Sequence, residues 1–577
     1  MPPIPPPSEA PFWPQWGANP RHTGEVAVAG QSSLATVLAQ VTYDPFVQEQ
    51  ITEAGFGLLT HYQAPLVDGN DVYHMRKTGS YVACSTPQAW RTTSEQCGPD
   101  AWETMIWNEV RYSWVDGVLR QAWTFATDWK PPPNGASLAG WEPVFHPIDV
   151  NGFIYVPAAG GAVWRVNKAS GIAHDKLDPF SGSGAVAANT FVAGPLVADT
   201  SGNVYYNAIE LVSPANGTVD PWLQHVVGSW LVKITPAGVI TTATYAALVP
   251  GAPAADAVEC PGQFNQNNPA TPLPWPPDTT TLPTDRLCGA QRPGINVAPA
   301  IADDGTIYTV SRAHFVAMAG YLVAVNPDLS PKWAASLQHR LSDGCGVLLP
   351  IAEPGVTDMP NSCRNGANPG VDPRTNQLGS GQVSDLGTSS PVVLPDGQVL
   401  YGAQTSYNAS RGHLMRFDAD GNFTGAYEFG WDITPAVWEH DATYSIVLKD
   451  NHYGARMYCT AAHPVCAFTD EEYYITQLDA NLEVEWRFKS TSDDPAHPNG
   501  FEWCINQPAI DANGVVYVNS EDGRVYTLPQ GNVGDFTVPL AGHFLTAAIG
   551  AAYTPLALGP DGRVYTQNYG DLFVLGD

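Results

Sequence analysis

Short apolar runs alternate with acidic, glycine-bearing turns along this chain, and they do so in one recurring order. "PAIADDGTIYTV" from Pro299 returns as "PAIDANGVVYVN" from Pro508 and as "PLALGPDGRVYT" from Pro555. Each phrase predicts a β-hairpin. Proline can open a strand, but inside one it donates no ladder hydrogen bond. The apolar triplet reads as a fully buried inner strand, and Asp-Gly or Asn-Gly supplies the positive φ of a tight turn. Val-Tyr or Ile-Tyr begins the return strand. Aligned on proline and tyrosine, eight hairpins appear: Pro65/Tyr73, Pro143/Tyr155, Pro195/Tyr205, Pro299/Tyr308, Pro391/Tyr401, Pro435/Tyr444, Pro508/Tyr517 and Pro555/Tyr565. The second and sixth are the least regular.

Two more strands usually follow each hairpin, as in "GYLVAVNPD" at Gly320 and the aromatic-bearing "PKWAASL" at Pro331 or "EVEWRFKS" at Glu483. Four strands per unit, repeated radially, predict an all-β fold: an eight-bladed β-propeller of four-stranded antiparallel blades. Periodicity alone also permits stacked sandwiches, but eight similar units without linkers favour a ring. The last unit stops at "DLFVLGD", its third strand, while "LATVLAQVTYD" from Leu34 is strand-like and belongs to no unit. Pairing the two closes the ring without a free edge. The expected organisation is a proline-rich tether over 1–11 and one propeller domain over 12–577.

Charge narrows the partners. The formal net charge of -30 repels nucleic acid and anionic membrane. No apolar run is long enough to span a bilayer. The opening "MPPIPPPSEAPFWPQWG" has neither the basic start nor the apolar stretch of an export signal, and it reads as a mature form with an added Met1. Of nine cysteines, eight fall into local pairs: Cys84/Cys97, Cys260/Cys288, Cys345/Cys363 and Cys459/Cys466. Local closure in loop-like sequence predicts disulfides and an oxidising, extracytoplasmic compartment, whether periplasmic, cell-surface or secreted, with a lipid-anchored form left open. Cys504, in "FEWCINQP", is left over. Absence of CxxC spacing argues against zinc fingers, and absence of CxxCH against covalent haem.

"WPQWGANPRHTG" at Trp13, followed by repeats of the form AxDxxGxVY…GxL…D…W, resembles the pyrroloquinoline-quinone-type propeller superfamily over essentially the whole chain from Phe12. That resemblance implies an eight-bladed fold. It admits both quinoprotein dehydrogenases and cofactor-free scaffolds, such as outer-membrane-assembly propeller lipoproteins, because function is grafted onto folds site by site.

In a propeller, the loops before inner strands and after second strands share one face. Long insertions fall at those joints: 207–228, 250–294, 341–386 and 451–473, with 81–112 placed between the second and later strands of the first unit. The same funnel mouth receives residues just before each proline, including Glu142, Asn296, Asp432 and Asn506. It also receives residues just past each tyrosine strand, including Arg76, Arg312, Lys449, Asn519 and Glu521. Basic residues number only 26, so Arg312 and Lys449 stand out as ligand-binding cations. The alternative is internal ion pairing with Asp450, Glu142 or Asp432.

For a dehydrogenase the resemblance implies pyrroloquinoline quinone and Ca²⁺. Arg312 and Lys449 would face the cofactor's carboxylates, with Glu142, Asn296 and Asp432 around the cation. Asp432 or Glu502 would be the catalytic base, and Trp431 or Trp503 the stacking floor. The chain departs from that pattern in having no adjacent Cys-Cys pair and no haem domain. A metal-dependent enzyme is the second alternative. His61, His74, His146, His314, His440 and His452 are available as axial ligands, without HxH or HExxH spacing. The leading reading is a binding propeller that takes a small molecule, a glycan or a protein partner at the mouth. The expected ligand-binding set is Glu142, Asn296, Arg312, Asp432, Lys449, Asn506 and Trp503.

Overall fold

A computed structural model describes residues 12–54, 60–81, 104–131, 143–182, 186–213, 221–264, 280–341, 371–372, 375–405, 411–431, 433–452, 472–489, 492–505, 507–548 and 555–577. Eight four-stranded antiparallel blades form a propeller, as the hairpin count predicts. Blade 1 is built from Leu66–Asp68, Asp71–Gly79, Met105–Val115 and Val118–Ala126. The inner strand of each blade is a two- to five-residue segment that opens on an apolar residue, such as Ala300–Ile301 or Ala436–His440. The turns behave as the sequence implies. Gly305 sits at φ 81°, and the Asp304 carboxylate accepts the Thr306 N–H at 2.8 Å, an Asx turn that fixes the hairpin register. Blade 2 departs from the expected alignment. Its inner strand is Ile148–Val150, so Pro147 rather than Pro143 opens it.

Blade 8 consists of Ala557–Leu558, Val564–Asn568 and Asp571–Gly576, and its fourth strand is Thr36–Thr42. That strand pairs antiparallel from Thr36↔Gly576 to Thr42↔Asp571. Terminal closure is therefore as expected, and it satisfies the edge that the short last unit would leave open.

Blades dock through their repeated aromatics. The outer-strand Trp123 donates Nε1–H to the Lys168 carbonyl of blade 2, and Trp333 of blade 4 donates to Ala419 of blade 5. Each ring lies on a glycine of the neighbouring turn. A Cβ at Gly171 would come within 2.6 Å of Trp123, and one at Gly421 within 2.8 Å of Trp333. Both glycines hold positive φ, so the turn and the docking surface depend on the same missing side chain.

The course of the N-terminal segment is a feature that the periodicity does not predict. Residues 13–31 circle the axis and touch the inner hairpin of every blade in order. Trp13 bridges Val67 of blade 1. Pro14 O accepts from Asp149 N–H at 2.9 Å in blade 2, and Gln15 Oε1 from Ala198 N–H at 2.6 Å in blade 3. Pro20, Arg21, Thr23 and Gly24 carbonyls accept from Ile301, Val393, Val437 and Ile510, at 2.7, 3.0, 2.8 and 2.9 Å. Gln31 N–H reaches Gly562 O in blade 8 at 2.7 Å. Trp16, 1% exposed, packs with Val144, Val197 and Ala298. The segment thus occupies the axis on the side towards which the inner strands run.

Blade 7 (Ala509–Ile510, Val516–Asn519, Arg524–Leu528 and Ala541–Phe544) inserts residues 529–540 before its last strand. Within them Asp535–Phe536 adds a parallel strand to the outer edge of blade 6 (Ala436–His440, Thr443–His452, Glu472–Leu478 and Val484–Lys489). Among the described residues no helix is long and apolar enough to cross a membrane.

Candidate functional site

The described members of the nominated set divide by what their side chains bond to. Arg312, at the end of the second strand of blade 4 (Ile307–Ala313), belongs to a buried charge network. Asp385, in the segment leading into blade 5, accepts two bonds from Arg292, at 2.8 and 2.6 Å. It also accepts one from Arg312 at 2.9 Å and one from Ile295 N–H at 3.1 Å. The remaining Arg312 donors go to the carbonyls of Ala313, Val383 and His314. Burial and the neighbouring Arg292 lower the Arg312 pKa to about 10 against the opposing pull of Asp385. The Asp385 carboxyl, which burial alone would raise, is held well below the usual range by the two guanidinium groups. The expected ligand cation is therefore internally paired, and its partner is Asp385 rather than Asp450, Glu142 or Asp432.

Asn296 is 1% exposed. Its Oδ1 accepts Val144 N–H at 2.9 Å and its Nδ2 faces Gly387 O at 3.5 Å. It ties the loops before blades 2, 4 and 5 together and holds φ 68°. Trp503 is fully buried, edge-on to Phe488 and Tyr526, and offers no open face for stacking. Asp450 turns away from Lys449, accepting from Tyr427 and Thr476 at 2.8 Å each. Consecutive strand residues point to opposite faces. Glu142, Asp432 and Asn506 lie outside the described residues.

The histidines divide similarly. His61 donates Nε2–H to Leu386 O at 3.1 Å, joining the loops before blades 1 and 5 across the ring. His314 accepts from Arg292 at 2.9 Å and donates to Trp222 O. His74 and His146 are fully buried, each with Nδ1 on a backbone carbonyl. His22, in the axial segment, is held the same way by Pro391 O. The Nε2 atoms of these three histidines are buried without a hydrogen-bond partner, and His74 and His22 act electrostatically on His146. Among the described residues, however, the three do not form a group with ligand atoms within 4.8 Å of one another.

Convergence occurs in blade 7. Ligand atoms of Glu502, Cys504 and Glu521 all lie within 4.8 Å of one another. Glu502 and Cys504 stand two apart in the segment entering the blade, a spacing that puts side chains on one side of an extended chain. Glu521 comes from the turn just beyond the second strand, Val516–Asn519. Cys504 is a free, partly buried thiol. Burial, then the charges of Glu521 and Glu502, push it well above its ordinary pKa, while Lys449 from blade 6 opposes them. Lys449 is itself fully buried. Sequence reasoning named Glu502, Glu521 and Lys449 but set Cys504 aside as a leftover. The odd cysteine count beside an acidic neighbour was the available signal.

One expected disulfide is present in the described residues, Cys260–Cys288, and Cys504 is unpaired. Cys84, Cys97, Cys345, Cys363, Cys459 and Cys466 lie outside them.

No family model matches the chain, and no curated protein matches it in sequence. Among solved structures it is similar to a europium-containing methanol dehydrogenase, with TM-score 0.48 and 10% identity over 96% of this chain and 89% of that one. It is similar to the quinohemoprotein alcohol dehydrogenase of Comamonas testosteroni, with TM-score 0.48 and 11% identity over 98% and 80%. It is also similar to BamB from Moraxella catarrhalis, with TM-score 0.36 and 12% identity over 94% and 99%.

The quinone can be tested against the residues themselves. Trp503 has no free face, Arg312 is spent on Asp385, and both ends of the Asn296 amide face the protein's own backbone. These three members of the expected cofactor set do not fit pyrroloquinoline quinone.

Proposed function

We propose that this chain is an extracytoplasmic binding propeller that takes its ligand, a small molecule, a glycan or a partner protein, at the funnel mouth in the sector of blades 6 and 7. The observation that carries this reading is the convergence of Glu502, Cys504 and Glu521 beside Lys449. There chemically distinct side chains meet at the mouth, while Arg312, Asn296 and Trp503 are consumed in holding the loops. The Cys260–Cys288 disulfide supports an oxidising compartment.

The test is a thermal-shift panel of sugars, organic acids and peptides on the parent and on Glu502→Lys. A ligand of the native state raises its melting temperature, and the expected shift is lost in the variant. A parallel arm adds pyrroloquinoline quinone and Ca²⁺ and follows dye reduction with alcohols or sugars. Turnover there would replace the binding reading with a dehydrogenase, and ligand shifts unaffected by Glu502→Lys would remove the site from this sector.

A further inference from the structure

We propose that Glu502, Cys504 and Glu521 form a site for a divalent metal of borderline softness, of the Zn²⁺ class, with a coordination position left open towards the mouth. The inference rests on the reading of this sector as the binding face and says what that face is built around. It starts from the donor set. Two carboxylates and one thiol gather their ligand atoms within 4.8 Å. A tetrahedral zinc site brings sulfur at about 2.3 Å and oxygen at about 2.0–2.2 Å, which sets the donors roughly 3.5 Å apart. Modest side-chain rotations therefore close this set on one ion.

The donor types select among ions. Ca²⁺ and Mg²⁺ take oxygen ligands, six or more for Ca²⁺ and near-octahedral for Mg²⁺. A thiolate favours softer ions, and a mixed sulfur–oxygen set suits zinc or its heavier analogue cadmium. Charge points the same way. With the sulfur as thiolate, the three ligands carry three negative charges, and Lys449, whose charge acts on Cys504, offsets one. A divalent cation cancels the remaining two. Three protein ligands leave one position of a tetrahedral ion for an outside donor, as in zinc sites that engage a ligand rather than merely brace a fold. Glu502 and Cys504, both only partly buried while Glu521 is buried, mark the side from which that donor arrives.

The experiment uses the full chain, stripped with a chelator and titrated with Cd²⁺ and Zn²⁺ by calorimetry. The sulfur-to-cadmium charge-transfer absorption is followed in parallel. One equivalent of Cd²⁺ is expected to bind and produce the thiolate band, and Zn²⁺ to displace it. Cys504→Ser should abolish the band. Glu502→Gln, at the most accessible ligand and so least harmful to folding, should weaken binding at least tenfold with an unchanged far-ultraviolet dichroism spectrum. Failure of Cd²⁺ to bind, a band that survives Cys504→Ser, or tight binding of Ca²⁺ in preference to both softer ions would each overturn the proposal. The stripped chain is also run through the ligand panel. Ligand shifts in a chain that takes no metal sink this inference and leave the binding reading standing. Metal binding with no ligand shift in the stripped or loaded chain does the reverse.

Discussion

Arg312 is expected to matter for folding rather than for an acidic ligand, and Asp385 is the residue that shows it. In Asp385→Asn the side chain keeps its shape and loses its charge. Two guanidinium groups, with side-chain exposures of 2% and 11%, then face each other without the carboxylate that accepts three bonds from them. Removing one partner of a buried ion pair costs about 3–5 kcal/mol, because the other charge stays buried and uncompensated. In Arg312→Ala the two-bond Arg292–Asp385 contact survives, so the loss is about 1.5–3 kcal/mol, the usual range for a hydrogen bond to a charged group. The order is therefore Asp385→Asn worse than Arg312→Ala, and the double variant should be less severe than the sum because the two share one network.

The assay is urea denaturation followed by tryptophan fluorescence, with the midpoint compared at unchanged slope. The depressed Asp385 pKa adds a sign. A carboxyl whose folded pKa lies below its unfolded value contributes its full stability above about pH 4 and loses it as the pH falls further. The parent-minus-variant difference should thus shrink only in strong acid. An Asp385→Asn loss under about 1 kcal/mol would refute the reasoning, since the network would then be far less buried or less coupled than its geometry implies. So would an Arg312→Ala that keeps parental stability while losing affinity for an acidic ligand.

Trp16→Ala, which empties a buried site in the axial segment, should destabilise by about 3–5 kcal/mol, and a parental denaturation midpoint would contradict the anchoring role. Burial lowers the pKa of His22 and His74 to about 4 and of His146 to about 3. The unfolded state, whose imidazoles titrate near 6.5, therefore binds more protons. Stability should be full above about pH 6.5 and fall towards pH 4 by up to about 1.4 kcal/mol per pH unit per imidazole; equal midpoints at pH 7 and pH 5 would rule this out. A non-reduced digest analysed by mass spectrometry should return the Cys260–Cys288 peptide and Cys504 as a free thiol, and Cys504 found in a disulfide would remove both the assignment and the metal site.

The blade plan was legible because each hairpin is a local decision. Proline, apolar triplet, Asp-Gly and tyrosine lie within about a dozen residues, and the forces that shape them act over the same distance. The closing strand was legible by subtraction, since a unit one strand short must find its edge elsewhere. Pro143 was mistaken for Pro147 because both precede apolar residues, and only packing against the axial segment, through Asp149 and Pro14, separates them. The charge network was not legible. The sequence shows Arg312 near a mouth but not that Asp385, from an insertion leading into a different blade, turns back onto it. Trp503 was misassigned for a related reason: a tryptophan beside a blade has one hydrophobic signature whether it faces a ligand or Phe488 and Tyr526. Residue type can be read locally, whereas which charges neutralise one another is fixed only when distant loops meet.

The axial segment changes what a ring of this kind can do. Blades in a propeller mostly contact their immediate neighbours, so a closed ring could loosen at one interface without disturbing the far side. Here a single stretch from Trp13 to Gln31 bonds to the inner hairpins of all eight blades. Opening any interface therefore pulls on a segment held by the other blades, and its buried Trp16 and His22 must leave the axis with it. The same segment feeds directly into the strand that closes blade 8, so axial filling and circumferential closure are two ends of one structural commitment. The strap fills the axis where the inner strands end, and His61 and Leu386 join opposite loops where they begin. That arrangement supports the proposed placement of ligand chemistry away from the axis, beside Glu502, Cys504 and Glu521.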